Sequence, residues 1–277
     1  MTAITTSNSP RLVRPPTARP LAPDLLRSEW TKLRSVRSTY WALLAAAAAM
    51  VGLAALLCAV YVNRYGHLSA AQKAGFHPVT FSLNGIFLAQ LAIAVLGVLV
   101  VTAEYSTGSV HSTFVAVPQR KAVLAAKATV FAVATFLVGL VSSFAAFFVG
   151  QAILSGKGIS AGIGSPGALR AVIGAGLYLA VLGLLGLGLG ALVRHSAGAI
   201  AAVVGLLFVL PGIVAALPSS WGNTISPYLP SDAGQAIMGA SRGGPTTLSP
   251  WVGLAVFCAY AAIALIGAGT ALTRRDA

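Results

Sequence analysis

Long apolar runs broken by short polar and basic punctuation make up most of the chain. A membrane-crossing helix takes roughly 20 consecutive mainly apolar residues. Six runs reach that length: residues 39–62, 81–103, 128–154, 168–193, 197–217 and 251–272. The pattern predicts an all-α polytopic membrane protein with six transmembrane helices, and the connecting pieces are too short to hold an independent domain of ordinary size. Residues 1–22 differ. "MTAITTSNSPRLVRPPTARPLA" is rich in Pro, Ser and Thr and has no apolar centre, so a disordered cytoplasmic tail is expected rather than a cleaved signal. Residues 23–277 read as one six-span unit.

Two short stretches carry a helical period without being long enough to cross a membrane. In "DLLRSEWTKLRSVRSTYW", Leu25, Leu26, Trp30, Leu33 and Val36 share one arc of about 140° at 3.6 residues per turn. Arg27, Arg34 and Arg37 border that arc on one side and Lys32 on the other, and Asp24 stands in an N-cap position. An N-terminal amphipathic helix in the headgroup layer is expected, its basic side chains reaching for phosphate. Glu29 alone breaks the arc. It either pairs with Lys32 or faces a protein partner. In "EYSTGSVHSTFVAVP", Val110, Phe114 and Val117 recur at i, i+4 and i+7, Gly108 permits a bend and Pro118 stops a helix. At the end of the second span, Glu104 would oppose the negative pole of that helix. A new short helix starting at Glu104 would reverse the sign, and this is the expected arrangement, with a solvated loop as the alternative.

The later spans have their own punctuation. Span 4 carries Gly183, Gly186, Gly188 and Gly190, so it is expected to pack closely against other helices. Only Arg194, His195 and Ser196 separate it from span 5, which predicts a tight hairpin. Pro211 and Gly212 should kink span 5 or end it early. From residue 218 to 250, Trp221, Ile225, Tyr228, Leu229, Ile237 and Met238 alternate with Pro, Gly and Ser, and Asp232 is the one acid. This segment is either an ordinary outer loop or a re-entrant one, which is tolerated where its backbone is buried in protein.

Composition fits the pattern: 57% hydrophobic and 8% charged residues, with a mean hydropathy of +0.86. A net charge of +13 would suit nucleic acid, but its distribution argues otherwise. With both termini in the cytoplasm, 13 Lys and Arg fall inside and five outside, namely Arg64, Lys73, Lys157, Arg170 and Arg242. A multi-pass protein of the cell membrane is therefore expected, without a nucleic-acid partner. Cys58 and Cys258 fall within spans and read as small apolar side chains, so no disulfide is expected. His67, His77, His111 and His195 lie in loops on alternating sides, which disfavours a metal site. The few acids are too scattered to assemble a catalytic group. "GQAILSGKGIS" has five residues between Gly150 and Gly156 where a phosphate loop needs four, and Gly158 where it needs Ser or Thr. ATP hydrolysis is therefore not expected of this chain, nor is a cofactor of its own. No span holds an acid near its centre, which disfavours a secondary carrier.

The order of "SEWTKLRSVRSTYW" before span 1, "AEYSTGSVHSTFVAVPQRKAVLAAK" between spans 2 and 3 and "LPSDAGQAI" before span 6 resembles the permease subunit of ABC-2 type exporters, especially the bacterial group with a separate ATPase. The likeness covers about residues 22–275. It implies an ATP-driven exporter in which a homodimer, or a pair of similar permeases, sits on two ATPase subunits that bind ATP and magnesium. It also implies that Glu29, Trp30, Lys32 and Arg34 belong to a connecting helix, and Glu104, Tyr105, Gly108, Val110 and Phe114 to a coupling helix, both touching the ATPase. Span 5 and the following segment, with Pro211, Trp221, Tyr228, Asp232 and Gln235, would line the substrate path and its outer gate. A non-transporting membrane scaffold or immunity protein is the alternative function, and a secondary carrier the third.

Overall fold

A computed structural model describes residues 22–117, 119–239 and 248–274. The expected tail at 1–21, Pro118, Arg242 and residues 240–247 of the segment before span 6 lie outside the described residues. Among the described residues the regular elements are all helical. In chain order they are α1 (Ala22–Ser35), α2 (Arg37–Arg64), α3 (Ala70–Ala74), α4 (Pro78–Ser82), α5 (Ile86–Ser106), α6 (Ser109–Ala116), α7 (Arg120–Ser155), α8 (Ala168–Val193), α9 (Ser196–Val204), α10 (Leu210–Ala215), α11 (Ser219–Ile225), α12 (Pro230–Gln235) and α13 (Pro250–Arg274).

Six helical stretches are long and apolar enough to cross a membrane: α2 with its 3-10 extension to His67, α5, α7, α8, the joined α9–α10, and α13. They coincide with the six expected runs. The main difference is α7, which begins at Arg120 rather than near 128 and runs for 36 residues, about 54 Å at 1.5 Å per residue. "RKAVLAAK" is, apart from Val123, composed of good helix formers, so the helix continues past the apolar run. α1, α6, the last turns of α5, α8 and α13 and the first turns of α7 gather at one end of the bundle, here the proximal end. The loops with α3, α4 and α11 lie at the distal end.

α8 is the central helix, with 78% of its most apolar window buried. Its glycines account for this. A Cβ on Gly186 would come within 2.5 Å of the Ala94 carbonyl oxygen, and one on Gly190 within 2.9 Å of that of Val98. From the other side, a Cβ on Gly97 of α5 would meet the Gly183 carbonyl oxygen at 2.5 Å. The α5 and α8 backbones are thus in direct contact, which only missing side chains permit. Gly188 does the same against Ala264 of α13, and Gly176 against Leu140 of α7. Inside this packing Tyr178 donates to Gln90 Oε1 at 2.6 Å, so that two fully buried polar groups satisfy each other.

Span 5 does not end at Pro211. A π turn at Gly205–Val209 precedes the proline, with the Leu210 N–H bonded to the Gly205 carbonyl, and the helix runs on to Ala215. The wider turn takes up the place of the N–H that proline lacks. The α8–α9 hairpin is as tight as expected: Arg194 takes a left-handed conformation (φ 60°) and closes α8 through its N–H to Gly190, while His195 Nδ1 accepts from Gly198 N. α12 and the 3-10 turn Ala236–Met238 are buried at every residue. A Cβ on Gly234 would strike the rings of Tyr178 and Phe257. Tyr178 lies ten residues from the start of α8, roughly 15 Å along it. The segment thus dips into the bundle between α8 and α13, the re-entrant alternative rather than a surface loop.

The α5–α8 contact predicts that Gly186→Leu, forced against the Ala94 carbonyl, costs at least about 2 kcal/mol and lowers the melting temperature in detergent by roughly 5 °C or more. Gly52→Ala, with nothing within 4 Å of the added carbon, leaves it unchanged or slightly raised. Tryptophan-fluorescence melts of the purified variants check both.

Candidate functional site

Four charged side chains from three helices meet at the proximal end. Lys127 Nζ, on α7, lies 2.6 Å from Glu29 Oε2 of α1 and 2.7 Å from Glu104 Oε1 of α5. Lys32 Nζ adds 2.7 Å to Glu29 Oε1 and 3.6 Å to Glu104 Oε1. Two of the chain's five acids and two lysines therefore form a neutral square. It is largely out of water, with side-chain exposures of 8% at Lys127, 4% at Glu29 and 18% at Glu104, whereas Lys32 remains open at 40%. Burial disfavours the Lys32 ammonium, but its bond to Glu29 and the charges of Glu104 and Glu29 outweigh this and raise its pKa above the ordinary lysine value.

Each member is placed by its own element. α1 presents Leu25, Glu29 and Lys32 on one side at i, i+4 and i+7, and this side packs on α7, where Leu25 meets Val123 and Ala126. The single apolar arc expected for α1 is therefore divided: Leu25 and Glu29 are buried, while Leu26, Trp30 and Val36 are exposed. The expected Glu29–Lys32 pair is present. Lys127 makes the difference, because a carboxylate facing a buried ammonium belongs on the protein side rather than the lipid side.

Glu104 corrects a second expectation. It does not begin a new helix. It lies in the last turn of α5, which continues to Ser106, and the short helix α6 starts only at Ser109. The ladder runs unbroken to Thr107 N→Ala103 O, the Ser106 and Thr107 hydroxyls also donate to that carbonyl, and Gly108 then turns left-handed at φ 70°. Glu104 stays at the unfavourable end of its helix because Lys127 and Lys32 supply the countercharge. α6 ends at Ala116, followed by extended Val117.

Of the other expected coupling residues, Val110 is buried and Gly108 exposed, Trp30 and Arg34 are exposed, and the Phe114 side chain lies outside what is described. Tyr105 turns its ring beneath the Arg194 guanidinium, 5.3 Å from the centroid. Arg194 Nη2 donates to Ala271 O at 3.5 Å and Arg120 Nη1 to Leu272 O at 2.9 Å, so two arginines meet the terminal carbonyls of α13. Ser196 donates to Thr102. Sequence reading missed Lys127, Arg120, Arg194 and Val115 as participants. Lys127 had a signal: it is the one charge inside the apolar helical stretch "AVLAAKATVF". Val115 of α6 is 86% exposed, the most exposed large hydrophobic side chain described.

The expected gate residues do not form one cluster. Pro211, Asp232 and Gln235 are buried, whereas Trp221 and Tyr228 are exposed at the distal surface, Tyr228 accepting from Tyr260 through its carbonyl. The stretch near a phosphate-loop spacing is the C-terminal end of α7 and the turn after it. There Gln151 binds Pro78 O, Ser82 Oγ and the Ala161 N–H. Among the described residues no three His, Cys, Asp or Glu side chains lie close enough to hold a metal ion.

The model of a family described as ABC-2 family transporter protein matches residues 25–212, which takes in most of α1, the ion square, α6, four spans and most of a fifth. No curated protein and no solved structure matches the chain.

Removing one partner of a buried ion group leaves the others uncompensated, at a cost of about 3–5 kcal/mol. Lys127→Ala is accordingly expected to free α1 from α7, read as faster amide hydrogen exchange over residues 22–35, while Lys127→Arg retains most of the protection. The raised pKa of Lys32 has an alkaline consequence. Its contribution is complete below the ordinary lysine pKa and fades as pH rises through the higher folded value. The protection of α1, taken relative to the base-catalysed intrinsic exchange rate, should therefore fall only on the alkaline side, and Lys32→Gln should remove that fall.

Proposed function

Since the chain belongs to the ABC-2 transporter family, and is thereby a membrane permease component of an ABC transporter, we propose that it is the permease of an ATP-driven exporter. It works with a separate ATPase subunit, as a homodimer or paired with a similar permease, in the cell membrane with both termini in the cytoplasm. The observation that carries this reading is the ion square, because it ties α1, the end of α5 and the start of α7 into one body beside α6, whose Val115 is exposed. A partner that pushes on α6 or α1 moves the ends of two spans together.

In this reading ATP and magnesium are bound and hydrolysed by the partner. Glu29, Lys32 and Glu104 transmit force through Lys127 rather than touching the ATPase. Tyr105 does so through Arg194. Gly108 sets the angle of α6, Val110 seats it, and Val115 belongs to its docking surface, with Trp30 and Arg34 on the outward side of α1. Closure of the ATPase pair around ATP shifts the permeases between inward- and outward-facing arrangements, which requires contacts that differ between the two states. Span 5, with its π turn before Pro211, and the buried segment carrying Asp232 and Gln235 between Tyr228 and α13 line the path and its outer gate, with Trp221 at the mouth.

Two substitutions test the coupling. Glu104→Ala, which leaves Lys127 paired with Glu29, is expected to keep the protein folded in the membrane while reducing substrate-stimulated ATPase activity and export roughly tenfold, equivalent to about 1.4 kcal/mol. Wild-type export by this variant would remove the role assigned to Glu104. Val115→Glu is expected to abolish co-purification of the ATPase, and an intact complex would show that α6 does not dock it.

A further inference from the structure

α1 carries three stripes, spaced by the 100° turn per residue of an α-helix. Leu25, Glu29 and Lys32 face α7. Ser28, Thr31 and Ser35 form a second stripe whose hydroxyls all return to carbonyls of their own helix, at Leu25, Arg27 and Lys32. The third stripe holds Leu26 and Leu33, then Trp30, then Arg27 and Arg34 on its far edge, and Arg37 follows at the start of α2. Leu33 packs partly on the apolar cluster at the proximal ends of the spans, so this stripe looks toward the membrane level. Leu26, Trp30, Arg27 and Arg34 are exposed, as are Tyr40 and Trp41 one turn beyond.

The charges on this stripe differ from those of the ion square. Lys32 and Lys127 are neutralised by Glu29 and Glu104. Among the described residues no carboxylate pairs with Arg27, Arg34 or Arg37. An aqueous protein surface would match the arginines and leave Leu26 and Trp30 against water. A headgroup layer suits both, taking the indole and leucine at the acyl boundary and offering phosphate to the guanidiniums.

We propose that the Leu26–Trp30–Arg27–Arg34 stripe of α1 is a binding surface for anionic phospholipid, which holds α1 at the level of the inner headgroups. Trp30 and Arg34 then serve coupling by anchoring: the lipid braces one side of α1 while the ion square fixes another. The inference rests on the permease reading only in placing this end of the bundle at the cytoplasmic leaflet. Each arginine near an anionic surface contributes roughly fivefold to local enrichment of such lipid.

The primary comparison uses the full chain in nanodiscs, without ATP or ATPase, so its failure is separable from failure of the transport reading, and the ATPase is added only afterwards. Brominated phosphatidylglycerol in unlabelled phosphatidylcholine is compared with brominated phosphatidylcholine in unlabelled phosphatidylglycerol at one mole fraction. The Trp30 signal is isolated by difference from Trp30→Phe. Stronger quenching of Trp30 by the brominated phosphatidylglycerol is expected. The combined variant Arg27→Gln/Arg34→Gln should reduce the preference by about an order of magnitude. Lys121→Gln, an exposed basic position off the stripe, should leave it intact. Equal quenching by the two lipids, no quenching by either, or a preference that survives the double substitution would overturn the proposal. Loss of the preference when the purified ATPase is added would assign the stripe to that protein instead, and would also overturn it.

Discussion

One ammonium group between two carboxylates determines how the proximal end of this protein is built. Lys127 lies within 2.7 Å of both Glu29 and Glu104, and those acids come from helices that have little else in common. An ammonium so deeply buried is tolerated only with such partners. The buried lysine therefore requires α1 to lie along α7, and α5 to keep its helix as far as Ser106. The square has little value as net stabilisation, because an apolar replacement of equal volume could pack as well. Its value is in register. It fixes the rotation of α1 about its own axis and thereby decides which side chains turn outward.

The bundle supplies the counterpart. α5 can deliver Glu104 to Lys127 because Gly97, Gly183, Gly186 and Gly190 let α5 and α8 approach backbone to backbone, leaving α5 little freedom to slide. Arg120 and Arg194 then bind the end of α13 to the start of α7 and the end of α8. The proximal ends of four spans are held by polar side chains and their centres by the absence of side chains. The distal end is joined differently, through the aromatic stack of Tyr61 on Phe76 and through Gln151.

The six spans were legible in the sequence because length and apolarity alone decide a crossing. The packed state of α8 was legible from its glycines, and the Glu29–Lys32 pair from helical spacing. The ion square was not legible as a whole. Its key contact joins Lys127 to a residue 98 positions away, and periodicity describes each helix without saying what lies opposite. The same blindness misplaced Glu104: helix electrostatics judged within one element favoured a new helix start, whereas a countercharge from another element made the old helix end acceptable. The π turn before Pro211 was not legible either, since a π turn can absorb a missing N–H without any mark in composition. The gate residues were drawn from one stretch of sequence, but Trp221 and Asp232 differ in burial because α12 folds inward while α11 stays at the surface.

α7 also has a mechanical aspect. Lys127 near one end and Gln151 near the other stand 24 positions apart on one unbroken helix, about 36 Å at 1.5 Å per residue. The first is clamped to α1 and α5, the second to α4 and the loop that follows α7. The helix is thus a stiff beam gripped at both tips. A tilt of about 10° about the Lys127 end displaces the Gln151 end by about 6 Å, roughly twice the length of a hydrogen bond. Movement at one surface of the membrane therefore cannot remain local: either the far clamp travels with the beam, or the bonds of Gln151 give way.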